Sequence, residues 1–362
     1  MHIDAQSCDF LLLQSAPKVI KLRRKKLLIE ALAQRGHSLV ETALQEVGII
    51  LRQRLLARPP AAVPLRYFGY AAHAEWLVSR YRPKVLLNDR NGSLYSPFLR
   101  LALNSRGSLL VHLAHATTLE ASRRLGMNDY DYYFLFGQSS LQALQARSLR
   151  FGDSQAVLAG SHMIDRSYDQ PLAEPAQRVM LVLGVGPDKE KEAGYQRTYA
   201  LLRDWATGHP EYRVLVKAHP RSQVPFWRQA VAELSNLEVL PRECSLAEAL
   251  GRASLVVNIM SNAVIEAALA GRPVIYANAS GQADIFAQEQ YFGGCVDSPE
   301  GMERRGRQIE AEYVQNCEAA RRFADYHLAQ GVAGLERTLE LLERLLAGEV
   351  IESQSLVGTV DI

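Results

Sequence analysis

Tyr212-Arg213-Val214-Leu215-Val216-Lys217-Ala218-His219-Pro220-Arg221-Ser222 opens the stretch whose reading decides the fold, and Ser254-Leu255-Val256-Val257-Asn258-Ile259-Met260-Ser261-Asn262 completes it. The first segment is β-rich and predicts a strand, and Pro220 disfavours regular structure at the residue before it, so the His219 imidazole is expected at the strand's carboxyl end. The second predicts a buried strand over 254–259, Ser261 as a helix N-cap, a helix from Asn262 to Ala270 and Gly271 as its C′ stop. Pro273-Val274-Ile275-Tyr276-Ala277 then starts another strand. This alternation belongs to a parallel α/β sheet, where ligands bind at the carboxyl ends of the strands. A helix N-terminus supplies N–H groups and a positive dipole end that suit a phosphate. Asn262 and Glu266 stand four apart and share one helix face. Glu266 can then accept hydrogen bonds from sugar hydroxyls such as a ribose, with the phosphate one turn earlier; a capping serine and an ordinary helix carboxylate satisfy the same pattern.

Outward from this stretch the rhythm repeats. Leu237-Glu238-Val239-Leu240 predicts a short strand and Ser245 the cap of a helix over 246–251. Val179-Met180-Leu181-Val182-Leu183 leads into Gly184-Val185-Gly186-Pro187, which is neither a dinucleotide fingerprint nor a Walker loop, since Pro187 and the charges after it break both spacings. Ile164 to Gln177 contains Pro171 and Pro175 without periodicity, and reads as an interdomain linker. Before it, strands are expected at 83–88, 108–113, 131–136 and 156–159. Asp89 and His115 each follow a strand end. Asp89 in Asp89-Arg90-Asn91-Gly92 can act as a general base, or can be plain turn chemistry. Asp129-Tyr130-Asp131 runs into an aromatic strand and is expected to be structural rather than a metal-binding Asp-x-Asp.

The chain has 362 residues, 48% hydrophobic and 22% charged, which suits two domains with substantial cores. A net charge of +2 argues against a dedicated nucleic-acid binder. Cys8, Cys244, Cys295 and Cys317 are scattered and show no zinc spacing, which predicts reduced thiols in a cytoplasmic protein. Phe10-Leu11-Leu12-Leu13 is too short for a secretory leader and follows Asp9. No apolar run approaches the roughly 18 residues needed to span a bilayer. Lys18, Lys21, Arg23, Arg24, Lys25 and Lys26 lie among Val19, Ile20 and Leu22 and predict a basic amphipathic helix. Such a helix is either a surface for anionic lipid, peripheral to the inner face of the cytoplasmic membrane, or a solvated flank.

Two α/β halves with ligand groups at strand ends look like the GT-B glycosyltransferase architecture, two Rossmann-like domains facing a central cleft. Leu113-Ala114-His115, the aromatic strand ending at Gly137, Gly160-Ser161, Lys217-Ala218-His219-Pro220 and Ser261-Asn262-Ala263 resemble, in that order, bacterial surface-polysaccharide transferases. The nearest groups are the CDP-glycerol glycerophosphotransferase-like and the capsule or lipopolysaccharide transferases with CMP- or CDP-activated donors, including Kdo-type enzymes. The resemblance implies an acceptor-binding domain over 1–170, a donor-binding domain with C-terminal helices over 171–346, and a tail over 347–362. It also implies His219 and Ser261 at the donor phosphates and a catalytic or phosphate-contacting role for His115; the residues themselves add Lys217, Arg221 and Asn262 beside the phosphates, Glu266 at the ribose, and His115 or Asp89 as base. No metal is then required, because the helix N-terminus, His219, Lys217 and Arg221 carry the phosphate charge. Two departures stand out: Ser261-Asn262 replaces a pair of serines, and Ala116 follows His115 where glycine is usual. The implied partners are a nucleotide-sugar donor and a glycan or lipid-linked acceptor. A non-hydrolysing nucleotide-sugar epimerase and a non-catalytic glycan-binding subunit are the competing readings.

Overall fold

The computed structural model describes residues 7–120 and 122–357. The chain folds as two units, the first running to Asp165 and resuming at Leu328, the second spanning Arg166–His327. The division falls at the start of the expected linker, which holds only two 3-10 turns, Arg166–Tyr168 and Pro175–Gln177.

The first unit is a seven-stranded sheet of β1 (Cys8–Gln14), β2 (Leu39–Ala43), β3 (Pro83–Asn88), β4 (Leu109–Leu113), β5 (Tyr132–Leu135), β6 (Asp153–Leu158) and, from the far end of the chain, β12 (Gln354–Val357). The spatial order is β12-β6-β5-β4-β3-β1-β2, parallel throughout except for β12, which runs antiparallel to β6. Phe10, Leu11, Leu12 and Leu13, too short in sequence for a leader, form the centre of β1 and are wholly buried. An unbroken apolar run is what a parallel strand covered on both faces requires. Helix Gly334–Leu346 contributes Leu339, Leu341, Leu342 and Leu345 to this unit's core. The expected boundaries therefore change: the last helix belongs with the first unit, and part of the expected tail is an edge strand. Residues 358–362 of that tail lie outside the described residues.

The expected basic helix over Lys18–Lys26 is also corrected. A single turn, Pro17–Ile20, is followed by a turn that passes through Arg23 at φ 51°, and the next helix begins at Lys26 (Lys26–Gln34). Like charges three and four apart, as Lys21 is from Arg24 and Lys25, oppose a continuous helix. The turn carries Lys25 inside, where it is 2% exposed, while Lys18, Lys21, Arg23, Arg24 and Lys26 remain exposed.

The second unit is a five-stranded parallel sheet of β7 (Val179–Leu183), β8 (Arg213–Lys217), β9 (Leu237–Val239), β10 (Leu255–Asn258) and β11 (Val274–Tyr276), ordered β11-β10-β7-β8-β9. Trp205, Trp227, Tyr195 and Tyr199 fill one side of its core. Ser245 caps helix Leu246–Gly251 through a reciprocal capping box with Glu248. The expected C-terminal helices are Pro299–Ala311 and Tyr313–His327 in this unit, and Gly334–Leu346 in the other. No helix among the described residues is long and apolar enough to cross a membrane.

Both units are Rossmann-like. In each, the chain winds outward on one side of its first strand and then returns to the other side. Topological switch points result between β1 and β3 and between β7 and β10, the places where such sheets receive ligands. If the last helix closes the first unit's core, Leu342→Ala lowers stability by about 2–5 kcal/mol, read as a shift of the urea midpoint. A midpoint within error of the parent would detach that helix from the core.

Candidate functional site

In the first unit, register aligns the ends of three strands: Leu13 pairs with Asn88, and Asn88 with His112. The loops leaving these strands enclose a cavity of about 470 Å³, lined among others by Arg24, Lys25, Asp89, His115 and Arg124. The Asn88 amide folds the turn, its Oδ1 accepting from the Arg90 N–H at 3.3 Å and its Nδ2 donating to the Arg90 carbonyl at 3.3 Å. Nδ2 also donates to His112 Nδ1 at 3.1 Å, and His112 Nε2–H donates to Asn91 Oδ1 at 2.8 Å. One nitrogen accepts and the other donates, so this imidazole is neutral. Burial, reinforced by the nearby Lys25 charge and by the coupling to His115 were that ring protonated, also holds its pKa well below the usual value. Gly92 (φ 55°) closes the turn where a Cβ would lie 1.9 Å from the Arg124 carbonyl oxygen.

Asp89 takes no side-chain part in that turn. Its carboxylate is buried and meets the backbone N–H groups of Asp89 and Ser15, while Oδ1 has no hydrogen-bond partner among the described residues. Burial raises its pKa, opposed by the positive charges of Lys25 and Arg24. His115 stands on the cavity wall, open to solvent yet ringed by protein, and a ring nitrogen bonds the Asp89 carbonyl. Burial first, then Lys25 and Arg24, lower its pKa, which keeps the ring neutral at physiological pH with a lone pair on the other nitrogen. Asp89 and His115 are thus brought together. Lys25 and His162, which sequence reasoning did not assign to a site, join them: Lys25 Nζ lies 2.8 Å from His162 Nε2. Asp129 and Asp131 both hold Arg100, at 2.7 and 2.9 Å.

In the second unit, the Gly184 N–H donates to the Lys217 carbonyl at 2.9 Å, and a Cβ on Gly184 would lie 2.9 Å from that oxygen and 3.0 Å from His219 N. Only glycine lets the loop after β7 approach the end of β8 so closely. The Arg221 N–H donates to His219 Nδ1 at 3.2 Å, so the neutral ring carries its proton on Nε2. Ser222 bonds the buried Glu190 carboxylate and accepts from the Val224 N–H at 2.9 Å. Val224 sits at φ 44°, a costly conformation for a β-branched residue and the kind of strain that gathers at binding loops.

Across β7, the Ser261 N–H donates to Asn258 Oδ1 at 3.0 Å, and Asn258 Nδ2 donates to Gln288 Oε1 at 2.8 Å. This contact holds the turn one residue longer than expected, so Asn262 rather than Ser261 is the N-cap, and the helix is Ala263–Leu269. Ser261 Oγ accepts from the Ala263 N–H at 3.4 Å. Gly271 adopts the expected left-handed stop at φ 68°. Glu266 lies in the first turn, partly accessible, and burial of the rest raises its carboxyl to about 7. Lys217, His219 and Arg221 therefore follow one neighbour of β7, and Ser261, Asn262 and Glu266 the other.

No family model and no curated protein matches the chain. Solved structures do match over most of its length. The UDP-GlcNAc 2-epimerase from Neisseria meningitidis, solved with UDP-GlcNAc, is 12% identical with a TM-score of 0.56, covering 94% of this chain and 100% of its own. The glycotransferase of kitacinnamycin is 16% identical, TM-score 0.57, over 92% and 98%. MurG of Acinetobacter baumannii is 13% identical, TM-score 0.54, over 93% and 99%. The fold is that of the GT-B group.

Glu266 yields a pH test. Its folded-state pKa is raised, so between its usual value and about 7 the folded chain holds a proton that the unfolded chain has released, and stability falls as pH rises through that window. We expect Glu266→Gln to gain stability relative to the parent at pH 8 but not at pH 4, measured by urea unfolding. A pH-independent difference would place the carboxylate in water.

Proposed function

We propose that the protein is a glycosyltransferase that moves a sugar, Kdo-like acids included, from a nucleotide donor of the CMP or CDP type to a lipopolysaccharide, capsule or other glycolipid acceptor. The observation that carries the reading is Asp89 Oδ1, a buried carboxylate oxygen without a partner among the described residues, beside a neutral His115 in an open cavity. An unpaired buried polar atom is costly and calls for a ligand group. In the reaction, the acceptor hydroxyl oxygen bonds the anomeric carbon and the bond from that carbon to the donor phosphate breaks. The phosphate leaves with the electron pair, and Asp89 or His115 takes the hydroxyl proton. The loop of Lys217, His219 and Arg221 and the turn of Ser261 and Asn262 receive the phosphates, with Nε2–H of His219 as a donor. Glu266 reads the ribose hydroxyls. The phosphate charge is carried by these groups, without calling on a metal.

The exposed Lys18, Lys21, Arg23, Arg24 and Lys26 would meet an anionic membrane that bears the acceptor. A nucleotide-sugar epimerase is the second reading, favoured by the likeness to 2-epimerases. It would need acidic groups to remove and return a proton on both faces of one carbon, and among the described residues the first unit's cavity offers Asp89 and Glu120.

The deciding experiment offers CMP-, CDP-, UDP- and GDP-sugars with and without a glycolipid acceptor. Acceptor-dependent nucleotide release supports transfer, donor isomerisation without acceptor supports the epimerase, and neither outcome leaves a binding subunit. Two variants refine it. His219→Ala should weaken donor affinity by about ten- to a hundredfold, the value of a hydrogen bond to a charged group, with the fold intact by circular dichroism. Asp89→Asn should lower kcat by roughly 10²–10⁴-fold at unchanged donor affinity if Asp89 is the base; loss of affinity alone would leave that role to His115.

A further inference from the structure

Lys25 is a lysine where a lysine is expensive to keep. It is 2% exposed and lines the cavity of the first unit, and its Nζ has one hydrogen-bond partner among the described residues, His162 Nε2 at 2.8 Å. An ammonium group only donates, so His162 accepts through a lone pair and is neutral; burial and the charge of Lys25 hold its pKa well below the usual value. Burial lowers the Lys25 ammonium to about 8, still mostly charged at neutral pH. A buried charge is ordinarily paired with its opposite; this one rests on a neutral ring, with the negative charge of Asp89 nearby favouring it but forming no ion pair with it among the described residues.

The arginines of the cavity, exposed at Arg24 and Arg124 and half-buried at Arg90, add to its positive charge. Elsewhere in the first unit, Arg35 holds Glu343, Arg100 holds Asp129 and Asp131, and Arg106 holds Glu75. Arg24, Arg90 and Arg124, which line the cavity, form no ion pair among the described residues. Four basic side chains there face two acidic ones, Asp89 and Glu120. With no ion pair to neutralise them, these side chains leave the cavity lining with more positive than negative charge.

We propose that this cavity is specific for an acidic acceptor: Lys25, backed by His162, receives a carboxylate or phosphate group of the acceptor, and Arg24, Arg90 and Arg124 line its approach. The inference rests on the transferase reading for the word acceptor, but the anion site stands or falls by itself. Binding orients the molecule by its charge, so that a neighbouring hydroxyl meets Asp89 or His115. Lys25 is then a specificity determinant, and a neutral sugar of the same shape leaves its ammonium unanswered.

The test uses the full chain and three small probes: methyl phosphate, acetate and neutral methyl glucoside. Calorimetric titration near pH 7 should show one anion binding and the glucoside not, and the anion that binds identifies the group as phosphate or carboxylate. Lys25→Met should weaken that binding by about tenfold or more, as expected for a lost charged hydrogen bond, whereas Lys26→Gln, at an exposed position paired with Glu30, should not. In parallel, amine acetylation of the parent, mapped by mass spectrometry, should slow at Lys25 and not at Lys26 when the anion is present. This second measurement holds even if Lys25→Met does not fold. Binding of neither anion, equal affinity in Lys25→Met, or no protection of Lys25 overturns the proposal. Protection of Lys25 without nucleotide release from any donor would keep the anion site and discard the transferase reading; release with a neutral acceptor alone would do the opposite.

Discussion

The first unit depends on one hydrogen-bonded line across its sheet, Asn88 to His112 to Asn91. Parallel register sets Asn88 beside His112, and the ring then bridges the two asparagines of a single turn. This requires a neutral imidazole of fixed tautomer, which full burial between the rings of Tyr130 and Tyr133, both 4.5 Å away, supplies. A protonated His112 would lose the acceptor that holds Asn88. With the turn held by amides, the side chain of the carboxylate between them is not needed to close it. Asp89 can keep an unpaired oxygen because its neighbours, and not it, satisfy the turn.

The second unit reaches a comparable result by backbone proximity. Gly184 lies against the carbonyl of Lys217, so the loop after β7 and the end of β8 form one surface. Buried side chains then pin the flanking turns, Glu190 through Ser222 on one side and Gln288 through Asn258 on the other. In both units the exposed polar groups are oriented by buried ones, which is how a rigid sheet presents a preorganised site. The strained Val224 fits this scheme, since a left-handed valine persists only when its surroundings over-determine it.

Much of this is legible in the chain. Strand-to-loop junctions carry strong local signals, so β3, β7, β8 and β10, and with them Asp89, Lys217 and His219, fall close to where β-rich runs meet Pro, Gly or Asn. What escapes is decided by tertiary contact. β1 is too uniformly apolar to show a period, β2 is a half-buried edge, and β12 gains meaning only by pairing with β6, about two hundred residues earlier in the chain. The N-cap moves from Ser261 to Asn262 because of a side-chain contact that no spacing encodes. Lys25 is the most instructive case. Within a run of six basic residues it is indistinguishable from its neighbours, and only the turn at Arg23 separates it from them.

That separation changes what the basic run means. An exposed lysine contributes little to stability and is screened by salt, whereas a buried one must be compensated or the fold is weakened. Compensation by a neutral imidazole and by the nearby Asp89 charge is partial, since burial still holds the ammonium below its usual pKa. The lysine charge works against the burial of Asp89, favouring its ionised form, and it lowers the pKa of His115. One lysine thus pushes both candidate bases toward their proton-accepting states. Replacing it with an apolar residue would relieve the cost of its burial, but would leave Asp89 more readily protonated and the cavity without its innermost cation. Under the proposed reading, the energetic expense of Lys25 belongs to the chemistry of the site and not to the fold.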